Sequence, residues 1–385
     1  MDHTVFITFG TRPEAIKMAP VVLELERRGT LRVVTCLTGQ HREMLDQVVE
    51  GFSLSVDHDL KIMRDRQSLG HITSAVLNGI DPILAAEKPD LVLVHGDTTT
   101  TFAAALAAYY HMIPVAHVEA GLRTDNIYSP YPEEINRRLA DRLAEVYYAP
   151  TAAARAALLR EGAPPEHILV TGNTVIDALL VTAATAPPDW EPKIARALER
   201  PGPMVLVTVH RRESWGVPME RVALAIKQVC ERMPEVTFIF PIHLNPVVRA
   251  TFRGALDAVS QVVFTEPLPY RPFVHLMKAA DVVITDSGGI QEEAPTLGKP
   301  VLVMRDTTER PEGIEVGTAR LVGTDSETIA RELLLLLTDR TVYERMAGAV
   351  NPYGDGRAAE RIADHLEYRF GLRAAPPADF AGIST

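Results

Sequence analysis

Short runs of apolar, mostly β-branched residues alternate along the chain with longer stretches in which apolar positions recur every three or four residues. In the first half the runs are Val5–Phe9, Arg32–Leu37, Leu91–Val94, Val115–Val118, Val146–Ala149 and Ile168–Val170. Segments with helical spacing, such as Glu14–Arg27, Gln67–Ala86 and Thr101–Tyr110, lie between them. Near-continuous apolar runs predict strands buried on both faces, as a parallel sheet covered by helices requires. The rhythm stops in a stretch rich in proline and charge at 187–203. It restarts with Val205–Val209, Phe238–Phe240, Val262–Phe264, Val282–Thr285, Val301–Met304 and Arg320–Val322. The pattern therefore predicts an α/β chain of two Rossmann-like, doubly wound domains. The expected boundaries are 1–185 and 203–356, with the Pro-rich stretch as linker, a closing helix at 357–370 and a flexible tail at 371–385.

Composition narrows the class. The 385 residues are 46% hydrophobic, enough for real cores, and 39 basic against 50 acidic residues give a net charge of −11. No basic patch stands out, which argues against a nucleic-acid partner. Cys36 and Cys230 both sit in apolar runs and read as core thiols of a reducing compartment. The first residues lack the charged-then-apolar order of a signal peptide, and no apolar stretch is long enough to span a membrane. A cytoplasmic protein is expected.

Ligands of doubly wound sheets bind past the carboxyl ends of the strands, so the polar residues there carry the chemistry. The most informative stretch is Asp281–Ala294, where an apolar strand runs into Asp286-Ser287-Gly288-Gly289 and then a helix bearing Glu292 and Glu293. Glycines let backbone N–H groups approach a ligand, and a helix N-terminus favours a phosphate. A following carboxylate suits a ribose diol. The bland alternative is a strand-to-helix turn capped by Ser287. The first strand ends in Gly10-Thr11-Arg12-Pro13-Glu14, with Lys17 in the helix beyond; Arg12 and Lys17 either meet a diphosphate or form a solvated first turn. Asp97 follows Leu91–His95 at an N-cap position. Glu119 ends an apolar strand, where a carboxylate is costly unless it is working or paired with Arg123. Glu133 opens a helix, either for the helix dipole or to join Asp97 and Glu119 in one site where neighbouring carboxylates separate their pKa values into an acid and a base. His117 and Glu119 share a strand face, but no third ligand has metal spacing, so no metal site is expected. In the second half His210 and His243 end successive strands, and Arg310 follows the strand after the glycine turn.

Seven segments together resemble the non-hydrolysing UDP-N-acetylglucosamine 2-epimerases. They are Gly10–Glu14, Thr38–Arg42, His95–Thr98, His117–Arg123, Pro132–Arg137, Thr208–Glu213 and Asp286–Glu293, in order across nearly the whole chain. The resemblance implies the glycosyltransferase-B-type architecture, with a cleft between the two Rossmann-like domains and a C-terminal helix crossing back to the first. It implies reversible interconversion of UDP-N-acetylglucosamine and UDP-N-acetylmannosamine without a cofactor, a precursor step for cell-surface polysaccharide. Its catalytic residues fall on Asp97, Glu119, Glu133 and His210, and its UDP contacts on Arg12, Lys17, Phe273, Ser287, Gly288, Gly289, Glu293 and Arg310. A second, activating nucleotide-sugar site of some bacterial members falls on Gln40, Glu43, Arg66, Glu133, Arg211 and His243; at Glu43 that site carries a glutamine. A homodimer is the expected assembly.

The C2 proton of the sugar lies beside an acetamido group rather than a carbonyl, so direct abstraction leaves a poorly stabilised carbanion. Expelling UDP from C1 as C2 loses its proton avoids this, through 2-acetamidoglucal, and needs acid/base groups on both faces of the ring. The competing readings are a hydrolysing epimerase that releases N-acetylmannosamine, an epimerase of a related UDP-diacetamido sugar, a retaining glycosyltransferase and a non-catalytic nucleotide-sugar sensor. The last two fit poorly with three carboxylates and His210 all being present.

Overall fold

The computed structural model describes residues 2–39, 42–64, 67–124 and 126–382, the side chains of 42–44 excepted. Among these residues the chain forms two α/β units, one of 1–178 with 353–385 and one of 179–352.

The first unit holds a seven-stranded sheet of Thr4–Phe9 (β1), Arg32–Leu37 (β2), His58–Asp59 (β3), Leu91–His95 (β4), Val115–Val118 (β5), Val146–Ala149 (β6) and Ile168–Val170 (β7). Its order is β3-β2-β1-β4-β5-β6-β7, and every pairing is parallel. The second unit holds Met204–Thr208 (β8), Thr237–Pro241 (β9), Val262–Thr265 (β10), Val282–Thr285 (β11), Val301–Val303 (β12) and Ala319–Leu321 (β13). Its order is β10-β9-β8-β11-β12-β13, again all parallel. Each unit repeats the doubly wound order in which the chain reverses direction across the sheet after its third strand. The reversal opens a crevice at the carboxyl ends of β1 and β4 in one unit and of β8 and β11 in the other. These are the strand ends that carry Gly10, Asp97, His210 and Ser287.

The apolar runs do what their pattern predicts. Phe6, Val92, Val94 and Val115 are buried against Val76, Ile80 and Ala104 of the covering helices. Val205, Val207, Phe238 and Phe240 are buried against Ile226, Val229 and Phe252. Strand β3 has no apolar pattern; it exists because His58 and Asp59 pair with Cys36 and Leu37 at the sheet edge. The proline-rich stretch is not plain linker, since Pro192–Leu198 is a helix whose Ile194 and Ala197 are buried in the second unit's core. Proline at its first position fixes φ and gives up only an N–H that no helix uses.

The C-terminal helix Ala358–Arg369 belongs to the first unit. Arg28 reaches Asp364 at 2.7 Å and Glu367 at 2.8 Å, and the Asp177 carboxylate accepts the amides of Ala359 at 2.9 Å and Ala358 at 3.2 Å. The segment beyond it is tied down as well: the Phe380 amide donates to the Val170 carbonyl at 2.6 Å, and Asp379 accepts the Val170 amide at 2.7 Å. No helix among the described residues is long and apolar enough to cross a membrane. Both cysteines are buried free thiols.

On the same helix His365 stands edge-on to Tyr148, its Nδ1 3.1 Å from the Tyr148 hydroxyl. Burial, then the positive charges of Arg369 and His167, push its pKa from 6.5 down to about 4. Between those values the folded chain binds fewer protons than the unfolded one, so stability is full above 6.5 and is lost as the pH falls toward about 4. His365→Gln is expected to flatten this loss, read as the difference in denaturation free energy between about pH 7 and about pH 4.5. An unchanged difference would remove His365 from the account.

Candidate active site

The first helix, Arg12–Arg28, starts directly after β1 because Thr11 and Glu14 form a reciprocal cap with Pro13 in the first turn. Glu14 is buried and accepts the amides of Gly10 at 3.0 Å and Thr11 at 2.7 Å. It also accepts the hydroxyl of Thr98 at 2.7 Å. One carboxylate thus serves the N-termini of two helices, since Thr98 caps Thr99–Tyr110 after β4. Burial raises its pKa despite the hydrogen bonds.

Beside these helix ends lies a pocket of about 450 Å³ whose wall includes Lys17, His95, Asp97, Glu119 and Glu133. The three carboxylates that the motifs single out therefore meet in one cavity, at the crevice of the first unit. Glu119 is nine-tenths buried and is paired with Lys17; Asn173 donates to its Oε2 at 3.2 Å. Asp97 is paired with Arg137, and its carbonyl accepts from Asn136 at 3.0 Å. Glu133 is the first residue of the helix Glu133–Leu143 and is half-buried.

One alternative is decided here. Arg123 does not pair with Glu119; it pairs with Asp141 at 2.7 Å and Glu161 at 2.8 Å. Lys17, expected to face a diphosphate, has its ammonium on Glu119. His95 stands out among the residues that the motif reading left without a role. Its ring is buried, neither nitrogen has a hydrogen-bond partner among the described residues, and Nε2 is 3.7 Å from Glu119 Oε2. Burial, against the pull of Glu119, pushes its pKa to about 3, so the ring is neutral.

In the second unit, Ser287 occupies the N-cap position of the helix Gly288–Thr296. Glu293 is buried, and a Cβ placed on Gly289 would lie 3.6 Å from its Oε1, so the carboxylate folds back toward the helix start. Arg310 is paired with Glu292. Phe273 is half-buried and packs on the core that holds Val274 and Ile290. His210 follows β8, with its amide 2.9 Å from Asp286 Oδ2 and its Nδ1 3.2 Å from Asp286 Oδ1. Burial alone would raise the Asp286 pKa; the His210 ring and the amides of His210 and Arg211 bring it below the usual range. Arg211 pairs with Glu309 at 3.3 Å. The His243 ring lies 6.0 Å from that of His210, and burial with His210's charge lowers its pKa. Gln40 and Arg66 lie outside the described residues, as does the side chain of Glu43. Among the described residues no cluster of His, Cys, Asp and Glu is arranged to hold a metal ion.

Asp141, Asp286 and Asn173 do structural work for the site without having been singled out. For Asp141 a signal was present: Glu134, Arg137 and Asp141 recur at helical spacing on a face that is buried, a polar stripe where an apolar one is the rule.

Two doubly wound units with carboxylates at one crevice and a glycine-opened helix at the other define an enzyme that works on nucleotide-linked sugars. Comparison with known proteins gives the family. A family model described as UDP-N-acetylglucosamine 2-epimerase matches residues 23–367. The chain is 52% identical to the UDP-N-acetylglucosamine 2-epimerase of Salmonella typhimurium over 375 residues, 96% of this chain and 100% of that one. It is 50% identical to that of Escherichia coli over 368 residues, 94% and 98% of the two chains. The crystal structure of the Neisseria meningitidis enzyme bound to UDP-GlcNAc superposes with a TM-score of 0.84 at 47% identity, covering 95% of this chain and 100% of that one. The chain belongs to the UDP-N-acetylglucosamine 2-epimerase family.

The turn that carries Glu119 ends at Gly121, where φ is +87° and a Cβ would lie 2.4 Å from the Ala154 carbonyl oxygen. Gly121→Ala is expected to cost more than about 2 kcal/mol of stability and most of the turnover. Calorimetry and a coupled assay check this, and a variant with unchanged melting temperature would show that the turn tolerates a side chain.

Proposed function

We propose that the protein catalyses reversible epimerisation of UDP-N-acetylglucosamine to UDP-N-acetylmannosamine at C2, by elimination of UDP through 2-acetamidoglucal and re-addition. The observation that carries this reading is the meeting of Asp97, Glu119 and Glu133 with Lys17 in one pocket at a strand-end crevice. In the first step the C1–O bond breaks, its electron pair leaves with the β-phosphate of UDP, and a carboxylate takes the C2 proton. In the second, UDP returns to C1 and another group delivers a proton to the opposite face of C2. General acid–base catalysis of this kind supplies roughly 10²–10⁴ in rate.

Asp97, Glu119 and Glu133 are the acid/base groups in this proposal. His210, held by Asp286, meets the leaving phosphate. The backbone of Ser287, Gly288 and Gly289 and the side chains of Arg12, Lys17 and Arg310 take the diphosphate, where preorganised donors favour the developing charge. Glu293 takes the ribose diol and Phe273 the base. Arg211, His243 and Glu133, with Gln40, Glu43 and Arg66, are assigned to an activating second nucleotide-sugar site. A homodimer is the proposed assembly, supported by the exposed Tyr109, Tyr110 and Met112 around a hollow on the first unit. Two buried thiols support a cytoplasmic setting, where the product would serve cell-surface polysaccharide synthesis.

In deuterated water both UDP-sugars should gain deuterium at C2 as they equilibrate; epimerisation with the C2 proton retained would overturn the elimination route. Accumulation of free N-acetylmannosamine would instead favour the hydrolysing reaction. Glu119→Gln and Glu133→Gln are each expected to lower turnover by roughly 10²–10⁴ while UDP still binds. Glu293→Ala should weaken UDP binding.

A further inference from the structure

Behind the pocket wall lies a buried charge network to which the reaction as described gives no role. His117, on β5, is wholly buried. Its Nδ1 is 2.6 Å from Asp141 Oδ1 and its Nε2 is 2.7 Å from the Gly96 carbonyl oxygen. The ring thus bridges a buried carboxylate and a backbone carbonyl. Asp141, buried beside it, uses its second oxygen too: Oδ2 accepts the Gly121 amide at 3.3 Å and pairs with Arg123 at 2.7 Å. Burial would raise the Asp141 pKa, but the His117 ring and Arg123 outweigh it and hold the carboxyl below its usual range.

The two arms of this network end on the two turns that matter. Through the His117 ring, Asp141 reaches the carbonyl of Gly96, the residue before Asp97. Through the Gly121 amide it reaches two residues past Glu119. Both turns use left-handed backbone: φ is +71° at Gly96 and +87° at Gly121, which glycine adopts freely, and +66° at Glu119, which is strained. A left-handed glutamate costs of order 1–3 kcal/mol and persists only where its surroundings over-determine it. The direct bond between the turns, from the Gly96 amide to the Val118 carbonyl at 2.9 Å, fixes the backbone at one point. The Asp141–His117 bridge adds two more.

We propose that Asp141 and His117 are positioning residues: by tying the Asp97 turn to the Glu119 turn at one spacing, they couple removal of the C2 proton to its return. This rests on the reading that Asp97 and Glu119 handle that proton. Elimination needs one base in place. Re-addition needs a second group aligned on the opposite face while UDP and 2-acetamidoglucal are still held. When the spacing between the turns loosens, elimination continues but re-protonation misses, and the glucal escapes. A purely structural role has a different signature, because a smaller folded fraction scales every rate together and leaves the partition of the intermediate unchanged.

The test uses side chains that keep one arm each. An asparagine amide nitrogen falls near the place of the imidazole Nδ1, and that of glutamine near Nε2. His117→Asn therefore retains the arm to Asp141, and His117→Gln the arm to Gly96. In both, and in Asp141→Asn, UDP should bind at full stoichiometry with affinity within about threefold of wild type. Epimerisation per bound site should fall roughly 10- to 100-fold, the scale of a misplacement near 1 Å. The share of turnovers released as free 2-acetamidoglucal and UDP should rise above that of the unsubstituted protein. Should Asp141→Asn fail to fold, the two His117 variants decide alone. Unchanged turnover, or reduced turnover with an unchanged glucal share, overturns the proposal. Glu119→Gln separates it from the reading beneath: a fully active Glu119→Gln sinks the acid/base assignment itself, whereas an inactive Glu119→Gln beside wild-type-like His117 and Asp141 variants sinks only the positioning role.

Discussion

A carboxylate in a buried pocket needs hydrogen bonds or a counter-charge to stay ionised, and for Glu119 the counter-charge is Lys17. Much of the first unit serves to bring these two groups together. Lys17 comes from the second turn of the helix after β1, and that helix starts where it does because Glu14 returns to cap it. Glu119 comes from the end of β5, two strands away in the sheet. The doubly wound order supplies the juxtaposition: placing β4 between β1 and β5 puts all three carboxyl ends side by side, and the chain reversal leaves a gap in the helix cover above them.

A second pattern is shared by the two units. Each buries an aspartate whose function is to fix a histidine near a strand end. Asp286, on the turn after β11, holds the backbone and ring of His210 after β8. Asp141, on a helix, holds His117 on β5. The difference lies in exposure. The His210 side chain is 43% exposed and free to meet a ligand, whereas His117 is wholly buried and its bonds end on backbone. The same pair of residue types therefore presents a titratable ring in one unit and braces two turns in the other.

The strands were legible in the sequence because a parallel sheet demands uninterrupted apolar runs, and candidate site residues could be picked out because they cluster at the ends of those runs. Asp97, Glu119 and Glu133 do line one pocket, as their positions in the motifs suggested. What the sequence concealed were partners. Arg123, four residues from Glu119, is the natural neighbour to suspect, yet Glu119 takes φ of +66° and the chain turns away, leaving Arg123 to Asp141. Asp141 is 24 residues beyond His117, and only the packing of its helix on β5 brings the two together. Strand β3 and the helix Pro192–Leu198 were hidden for the opposite reason: each is short, and tertiary contacts rather than local pattern hold it.

Lys17 shows how a motif can single out a residue and still leave its contacts open. A lysine at a helix start beside a glycine turn reads as a phosphate ligand, and in this structure its ammonium lies on Glu119. The two roles are compatible physically. An ammonium is a compact charge on a flexible stem, so it can trade one anion for another within the reach of its four methylenes. A diphosphate brings more charge than a single carboxylate and competes well for it. The carboxylate that loses its cation becomes the more basic, since the opposite charge that favoured its ionised form has gone. A base that is quiet in the free enzyme and stronger once the nucleotide has arrived suits an elimination whose leaving group is that same nucleotide. With Glu119 as the proposed base, proton removal would then be favoured when UDP is in place to leave, and the pairing that makes Glu119 tolerable in a buried pocket would also keep it from acting early.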